Sequence, residues 1–178
     1  MRIVAGKYKG LQLLDFDASN IRPTTDRVRE NIFNKIQFVV AGAEVLDLFG
    51  GTGAVSLEFV SRGAKRVITC DNNRKSLDLI SKNFAKAKIK PDLRIGDFVK
   101  VLQDLNGCSF DIIFLDPPFI EGYGESAINL IAEYDLLKDD GIIIYEHIID
   151  KEFKINDKFE IFDKRKYGTI GVSFIRKK

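Results

Sequence analysis

The side chains best placed for chemistry are four acids that each stand at or near the end of an apolar run: Asp47, Asp71, Asp97 and Asp116. The runs Glu44 to Phe49, Arg66 to Asp71, Leu93 to Ile95 and Phe110 to Leu115 read as strands of a parallel sheet, so the acids gather along its carboxyl edge. Ligands that carry a nucleoside bind at that edge in open α/β sheets. Behind Asp47 the chain breaks at Gly50-Gly51-Thr52-Gly53 and resumes helically through Val55, Leu57, Glu58 and Val60, which is a strand turning sharply into a helix. Asp71 follows the glycines by roughly 20 residues, the interval at which a carboxylate on the neighbouring strand accepts both hydroxyl protons of a ribose. Asp97 can accept from an adenine amino group while Phe98 packs on the ring, it can cap a helix over Val99 to Leu105, and the two readings are compatible. A dinucleotide dehydrogenase does not fit: Ser56 occupies the third glycine position of its fingerprint, and hydride transfer has no use for Pro117-Pro118 after Asp116.

The elements that must position these groups follow in order. Ile3-Val4-Ala5 and Leu11 to Leu14 flank Gly6-Lys7-Tyr8-Lys9-Gly10, a small basic hairpin whose Lys7 and Lys9 suit phosphate, although an ordinary surface turn reads the same. Pro23 disfavours helix for Arg22, Thr24 or Thr25 can cap, and Val28, Ile32, Phe33 and Ile36 then recur helically. The start of that helix, with Arg22, Arg27 and Arg29, would favour a carboxylate or phosphate. Helices are expected near Ser76 to Ala87 and Ala127 to Leu137, and strands at Gly141 to Tyr145, Phe159 to Phe162 and Ile170 to Ile175, the last two joined at Tyr167-Gly168-Thr169. Residues 1–20 are expected to form the N-terminal hairpin and residues 21–178 the main domain.

Composition sets limits on function. The 178 residues, 45% hydrophobic and 30% charged, suit one soluble globular core. No apolar run reaches the ~20 residues of a membrane span, and Met1 to Lys7 lacks the apolar stretch of a signal peptide, so a cytoplasmic protein is expected. Cys70 and Cys108 are expected to be free thiols, and the sole histidine, His147, to be structural or on a rim. The net charge of +2 is unevenly spread, with residues 1–29 and 150–178 together at +7 and the middle at −5. Basic ends around an acidic centre suit nucleic acid, although two solvated faces would look alike.

Together these motifs resemble the S-adenosylmethionine-dependent amino-methyltransferases, whose glycine motif is similar to Asp47-Leu48-Phe49-Gly50-Gly51-Thr52-Gly53 and whose (D/N/S)-P-P-(Y/F/W) motif is matched by Asp116-Pro117-Pro118-Phe119. Arg2-Ile3-Val4-Ala5-Gly6, Arg22-Pro23-Thr24-Thr25-Asp26-Arg27-Val28-Arg29-Glu30, Glu146-His147 and Lys166-Tyr167-Gly168 narrow the resemblance to the RsmD family, which methylates the exocyclic N2 of a guanine in small-subunit (16S) ribosomal RNA. The matches run across nearly the whole chain. Where the family often has Ala and Ser this chain has Gly50 and Thr52, and Asp71 stands where it often has Glu.

The resemblance implies a Rossmann-like class I methyltransferase with a mostly parallel seven-stranded sheet, an antiparallel C-terminal hairpin and a short N-terminal β-hairpin extension. It implies S-adenosylmethionine as cofactor. The Gly50, Gly51 and Gly53 backbone, with Asp47 and Phe49, would hold its methionine part, Asp71 and Asn72 its ribose, Asp97 and Phe98 its adenine, and Thr24 and Thr25 its carboxylate. Arg22, Arg27, Lys7 and Lys9 would meet RNA. Asp116, Pro117, Pro118 and Phe119 would be catalytic: Asp116 and the Pro117 carbonyl hold the amine hydrogens, and Phe119 stacks on a base taken out of its helix. No metal and no membrane are expected, and the partner would be ribosomal RNA or the small subunit, met by a monomer. Two other readings are a DNA adenine-N6 or cytosine-N4 methyltransferase, for which 178 residues leave little room for a target-recognition region, and a non-catalytic RNA-binding protein on the same fold.

Overall fold

A computed structural model describes residues 1–16, 26–118, 120–149 and 151–178. Its centre is a seven-stranded sheet in the order β3-β2-β1-β4-β5-β7-β6. The strands are β1 Glu44–Asp47, β2 Arg66–Asp71, β3 Asp92–Ile95, β4 Phe110–Leu115, β5 Leu137–Ile148, β6 Phe159–Tyr167 and β7 Ile170–Lys177. The first five run parallel, whereas β7 lies antiparallel to both β5 and β6. The chain reverses direction across the sheet between β1 and β4, which opens a crevice above their carboxyl ends.

Alternation along the strands divides the core. Val45, Ile112, Phe114, Ile144 and Val172 face α1 Asp26–Lys35 and α2 Gln37–Val40. Leu46, Leu48, Ile113, Leu115, Ile143 and Tyr145 face α5 Phe98–Asp104 and α6 Tyr123–Glu133. The remaining helices, α3 Ala54–Ser61 and α4 Arg74–Lys86, enclose a third cluster with Ile3 and Leu13 of the N-terminal arm. No helix among the described residues is long and apolar enough to cross a membrane.

Several boundaries differ from the expected ones. Apolar spacing carries the expected last helix from Ala127 through Leu137, but α6 spans Tyr123–Glu133. Asp135 takes a positive φ of 51° and breaks the helix, so Leu137 opens a twelve-residue β5 instead. Strand β5 outruns its expected length at both ends, where Leu137 pairs with Phe110 of β4 and Glu146 to Ile148 pair with β7, and β6 outruns its own by pairing with β7. Helices α4 and α5 begin earlier than expected, at Arg74 and Phe98, each behind a side-chain cap from Asn73 or Asp97.

The N-terminal arm is a looser hairpin than its sequence suggests, with Arg2↔Gln12 its bridge. Much of its backbone hydrogen bonding is turned towards α3. Val4 and Ala5 donate to the Glu58 carboxylate at 2.8 and 3.0 Å, Lys7 donates to the Ser61 carbonyl at 2.7 Å, and Tyr8 donates to Ser61 Oγ at 2.9 Å. Glu58, at 0% exposure, also takes Arg62 Nε at 2.7 Å and lies 3.8 Å from Arg29 Nε. Replacing Glu58 by Ala would leave the Val4 and Ala5 amides and the Arg62 guanidinium without their shared acceptor around one hole. Glu58→Ala is therefore expected to lower unfolding stability by about 3 kcal/mol, read from urea denaturation, with Glu58→Gln retaining part of it.

Candidate active site

The crevice is a cavity of about 940 Å³, within the range that holds a ligand of drug or cofactor size. Its floor is the glycine turn. The Gly50 amide donates to the Cys70 carbonyl at 2.7 Å, and a Cβ on Gly50 would meet Thr69 Cγ2 at 2.5 Å, so the turn is pressed onto β2. Gly51 takes a φ of +54°, and a Cβ there would project into open space, leaving room for a ligand to approach its backbone. Asp71 fastens this turn to the next strand: Oδ2 accepts the Gly51 amide at 2.9 Å and Oδ1 the Asn73 amide at 2.8 Å. Each carboxylate oxygen retains a lone pair for a hydroxyl donor.

Phe49, Phe98 and Tyr123 make an aromatic wall, with ring centroids 5.7 Å apart for Phe49–Phe98 and 5.3 Å for Phe98–Tyr123. Asp97 does not line the cavity. Its carboxylate caps α5 by accepting the Val99 amide at 2.9 Å, while its neighbours Gly96 and Phe98 face inward. On the other side of the crevice, β4 delivers Asp116, Pro117 and Pro118 to the same cavity. Proline φ is fixed by its ring, and Pro118 restricts Pro117 further, so the Pro117 carbonyl is held in direction.

Asp47 lies beneath the turn rather than on the wall, 1% exposed. Thr69 Oγ1 donates to Ser56 Oγ at 2.7 Å, and Ser56 Oγ donates to Asp47 Oδ2 at 2.6 Å. Ser56, the residue that spoils the dehydrogenase fingerprint, is thus the partner of the motif's first acid. Asp47 Oδ1 has no hydrogen-bond partner among the described residues. Burial, reinforced by the negative charges of Asp116 and Asp71, pushes the Asp47 carboxyl up to about 7 against the opposing Ser56 bond and the Phe49 backbone amide.

The remaining sequence candidates fall into three groups. Arg27 and Asn72 line the cavity, whereas Gly53, Lys7 and Lys9 do not. Arg22, Thr24, Thr25 and Phe119 lie outside the described residues. Arg29 lines the cavity from a buried position, 1% exposed, donating to Asp26 Oδ1 at 2.9 Å and to the Arg2 carbonyl. His147 is buried on the opposite sheet face, with Nε2 2.9 Å from Ser173 Oγ and Nδ1 3.0 Å from the Ile148 carbonyl. Desolvation holds its pKa below the ordinary histidine value. Tyr123 and Tyr167 were not legible as wall residues, since each reaches the cavity through pairing or packing far from the glycine motif.

The arrangement fits S-adenosylmethionine on this chain's own features. An open glycine backbone, an acid with spare lone pairs at the end of β2 and an aromatic slot suit a cationic nucleoside. The sheet order, with β7 inserted antiparallel, and the convergence of glycine turn and Asp-Pro-Pro on one crevice define the class I methyltransferase fold.

Within that class, the chain belongs to the family described as "Conserved hypothetical protein 95", whose model matches residues 1–176, and this is the RsmD family its motifs resemble. It is 32% identical over 185 residues to "Putative rRNA methyltransferase YlbH" of Bacillus subtilis (strain 168), covering 100% of both chains. It is 34% identical over 150 residues to "Ribosomal RNA small subunit methyltransferase D" of Escherichia coli (strain K12), covering 84% of this chain and 76% of the relative. Among solved structures, "Putative methyltransferase yhhF from Escherichia coli" superposes with a TM-score of 0.88 at 29% identity, over 100% of this chain and 98% of that one.

Proposed function

We propose that this protein transfers a methyl group from S-adenosylmethionine to the exocyclic N2 amine of a guanine in small-subunit ribosomal RNA. The observation that carries the reading is the shared cavity: the glycine turn with Asp71 and the Asp116-Pro117-Pro118 loop face one another across a single crevice. Relatives named for ribosomal RNA methylation supply the substrate class.

The nitrogen lone pair of guanine N2 is delocalised into the ring, which makes the amine a poor nucleophile. Asp116 carboxylate and the Pro117 carbonyl accept its two hydrogens and favour a pyramidal nitrogen whose lone pair is available. The cofactor, when bound, supplies a methyl group on a good leaving group. What the chain contributes is orientation and local electrostatics. Phe119 stacks on the base, which has to leave its helix to reach the crevice. Asp71 and Asn72 hold the ribose, and Phe98 and its aromatic neighbours enclose the adenine. Lys7, Lys9, Arg22 and Arg27 meet the RNA backbone, with residues 1–20 acting as a basic appendage to the domain of residues 21–178. The enzyme works as a cytoplasmic monomer.

The test is to supply methyl-labelled S-adenosylmethionine with naked 16S rRNA, isolated small subunits or DNA, and to map the labelled base. Label on guanine N2 in small-subunit rRNA is expected. Label on adenine or cytosine in DNA overturns the reading.

A further inference from the structure

Beyond the Asp116-Pro117-Pro118 loop the surface turns basic. A trough of about 770 Å³ lies there, lined by Lys151, Lys154, Lys164 and Arg165 against two acids, Glu125 and Glu152. Its volume is in the range that receives a ligand of drug size. The connection between β5 and β6 supplies the first two lysines, and packing fixes where they stand. Phe153 and Ile155 pack against the core, with the Phe153 ring centroid 5.0 Å from that of Tyr145 and 4.6 Å from that of His147, so Lys154 between them is held outward and exposed. Lys164 of β6 completes the group, its Nζ 5.7 Å from the Phe153 ring centroid.

The charges here are arranged differently from those on the rest of the C-terminal part. At the far end of β7, Arg176 pairs with Glu160 at 2.7 Å and Lys177 with Asp139 at 3.0 Å, and on β6 Arg165 pairs with Asp163 at 3.0 Å. Among the described residues no ion pair takes up Lys151, Lys154 or Lys164. Like charges gathered in one trough repel, and a phosphate backbone laid along it offsets that repulsion. The trough also meets the crevice. Between them is a hollow of about 30 Å³, too small for a base: Pro117 and Pro118 line both it and the crevice, whereas His147, Lys151 and Phe153 line both it and the trough. Ile120 and Ile148, 54% and 38% exposed, border the hollow. A strand whose target nucleotide enters the crevice can therefore cross over the two isoleucines and bring its next phosphates to the lysines. Lys7 and Lys9 stand on the other flank, since the N-terminal arm packs with α3 and α4 near β1 and β2, whereas the trough lies by β5 and β6.

We propose that this trough is a second RNA-binding site, in which Lys151, Lys154 and Lys164 receive the phosphates of the strand on one side of the target nucleotide, the N-terminal arm taking the other side. This rests on the ribosomal RNA reading above. It also gives the basic C-terminal part of the chain a role that the crevice leaves unassigned.

The experiment compares Lys151→Gln/Lys154→Gln/Lys164→Gln with a control of equal charge, Lys88→Gln/Lys90→Gln/Lys100→Gln, made at exposed lysines flanking β3 on the opposite edge of the sheet. Affinity for 16S rRNA, naked or in small subunits according to which the wild type binds, is measured over a series of salt concentrations. Each phosphate contact to a single strand adds about 0.7 to the slope of log K against log salt, so the trough variant is expected to lose about 2 from that slope and to bind roughly 10- to 100-fold more weakly at about 0.1 M salt. Its KM for RNA should rise by the same factor with cofactor affinity as in wild type, and Lys→Arg at all three positions should restore binding, since a phosphate contact needs the charge. The control should keep the wild-type slope. A trough variant with the wild-type slope, a control that loses as much, or a loss confined to kcat overturns the proposal. A photoreactive benzoylphenylalanine placed at position 154 identifies what lies in the trough: cross-linking to rRNA is expected, and cross-linking to ribosomal protein alone overturns the proposal. Neither measurement depends on which base is methylated, so label mapped to a base other than guanine sinks the guanine-N2 reading separately.

Discussion

Asp116→Ala is expected to lower kcat by about 10³-fold, the loss typical when a group aimed at the reacting centre is removed, while S-adenosylmethionine binds as tightly as to wild type. The two effects separate because Asp116 follows the end of β4, whereas the glycine turn follows β1 and Asp71 ends β2. Ala leaves the Pro117 carbonyl as the single acceptor for two amine hydrogens, so the nitrogen is neither pyramidal nor fixed. Asp116→Asn offers an amide oxygen in the same place and should recover part of the lost rate. The ordering of wild type above Asn above Ala, read from single-turnover rates at saturating cofactor, is the signature of hydrogen-bond acceptance. An Ala variant that turns over at more than a tenth of the wild-type rate would exclude Asp116 from the reaction.

The acids at the sheet edge were readable because a buried parallel strand leaves a near-continuous apolar run, and its end is marked by the first acid or glycine. Asp71 and Asp116 were found that way, and both reach the cavity. The same signal could not say what each acid does. Asp97 caps α5 through Oδ1, and Asp47 lies under the turn, because an acid at the end of a strand can point up, sideways or down. The far wall was less legible still. Glu146 and Tyr167 reach the site through the pairing of β5 with β4 and of β6 with β7, relations fixed by contacts distant in sequence. The attachment of the N-terminal arm was likewise hidden, since Glu58 reads as one polar position on a helix until its carboxylate is seen to hold Val4 and Ala5.

Unfolding stability is expected to fall as pH rises through the interval set by Asp47. In the folded protein this carboxyl keeps its proton up to about pH 7, whereas its ordinary value is 3.8. Between those values the unfolded chain binds fewer protons than the native one, so each step up in pH favours unfolding; below the interval the effect is absent, and above it the cost is constant. At about 1.4 kcal/mol for each pH unit, the interval amounts to roughly 4 kcal/mol. Asp47→Asn mimics the neutral carboxyl, with an amide oxygen that still accepts from Ser56, and it has no proton to lose. The variant should therefore lack this contribution to the pH slope and exceed wild type in stability at pH 8 while matching it near pH 4. Urea denaturation of both proteins across that range measures the difference directly. Parallel slopes for the two would mean that Asp47 is ionised in the folded protein at all of these pH values, with its Oδ1 oxygen satisfied by a group such as water beneath the turn.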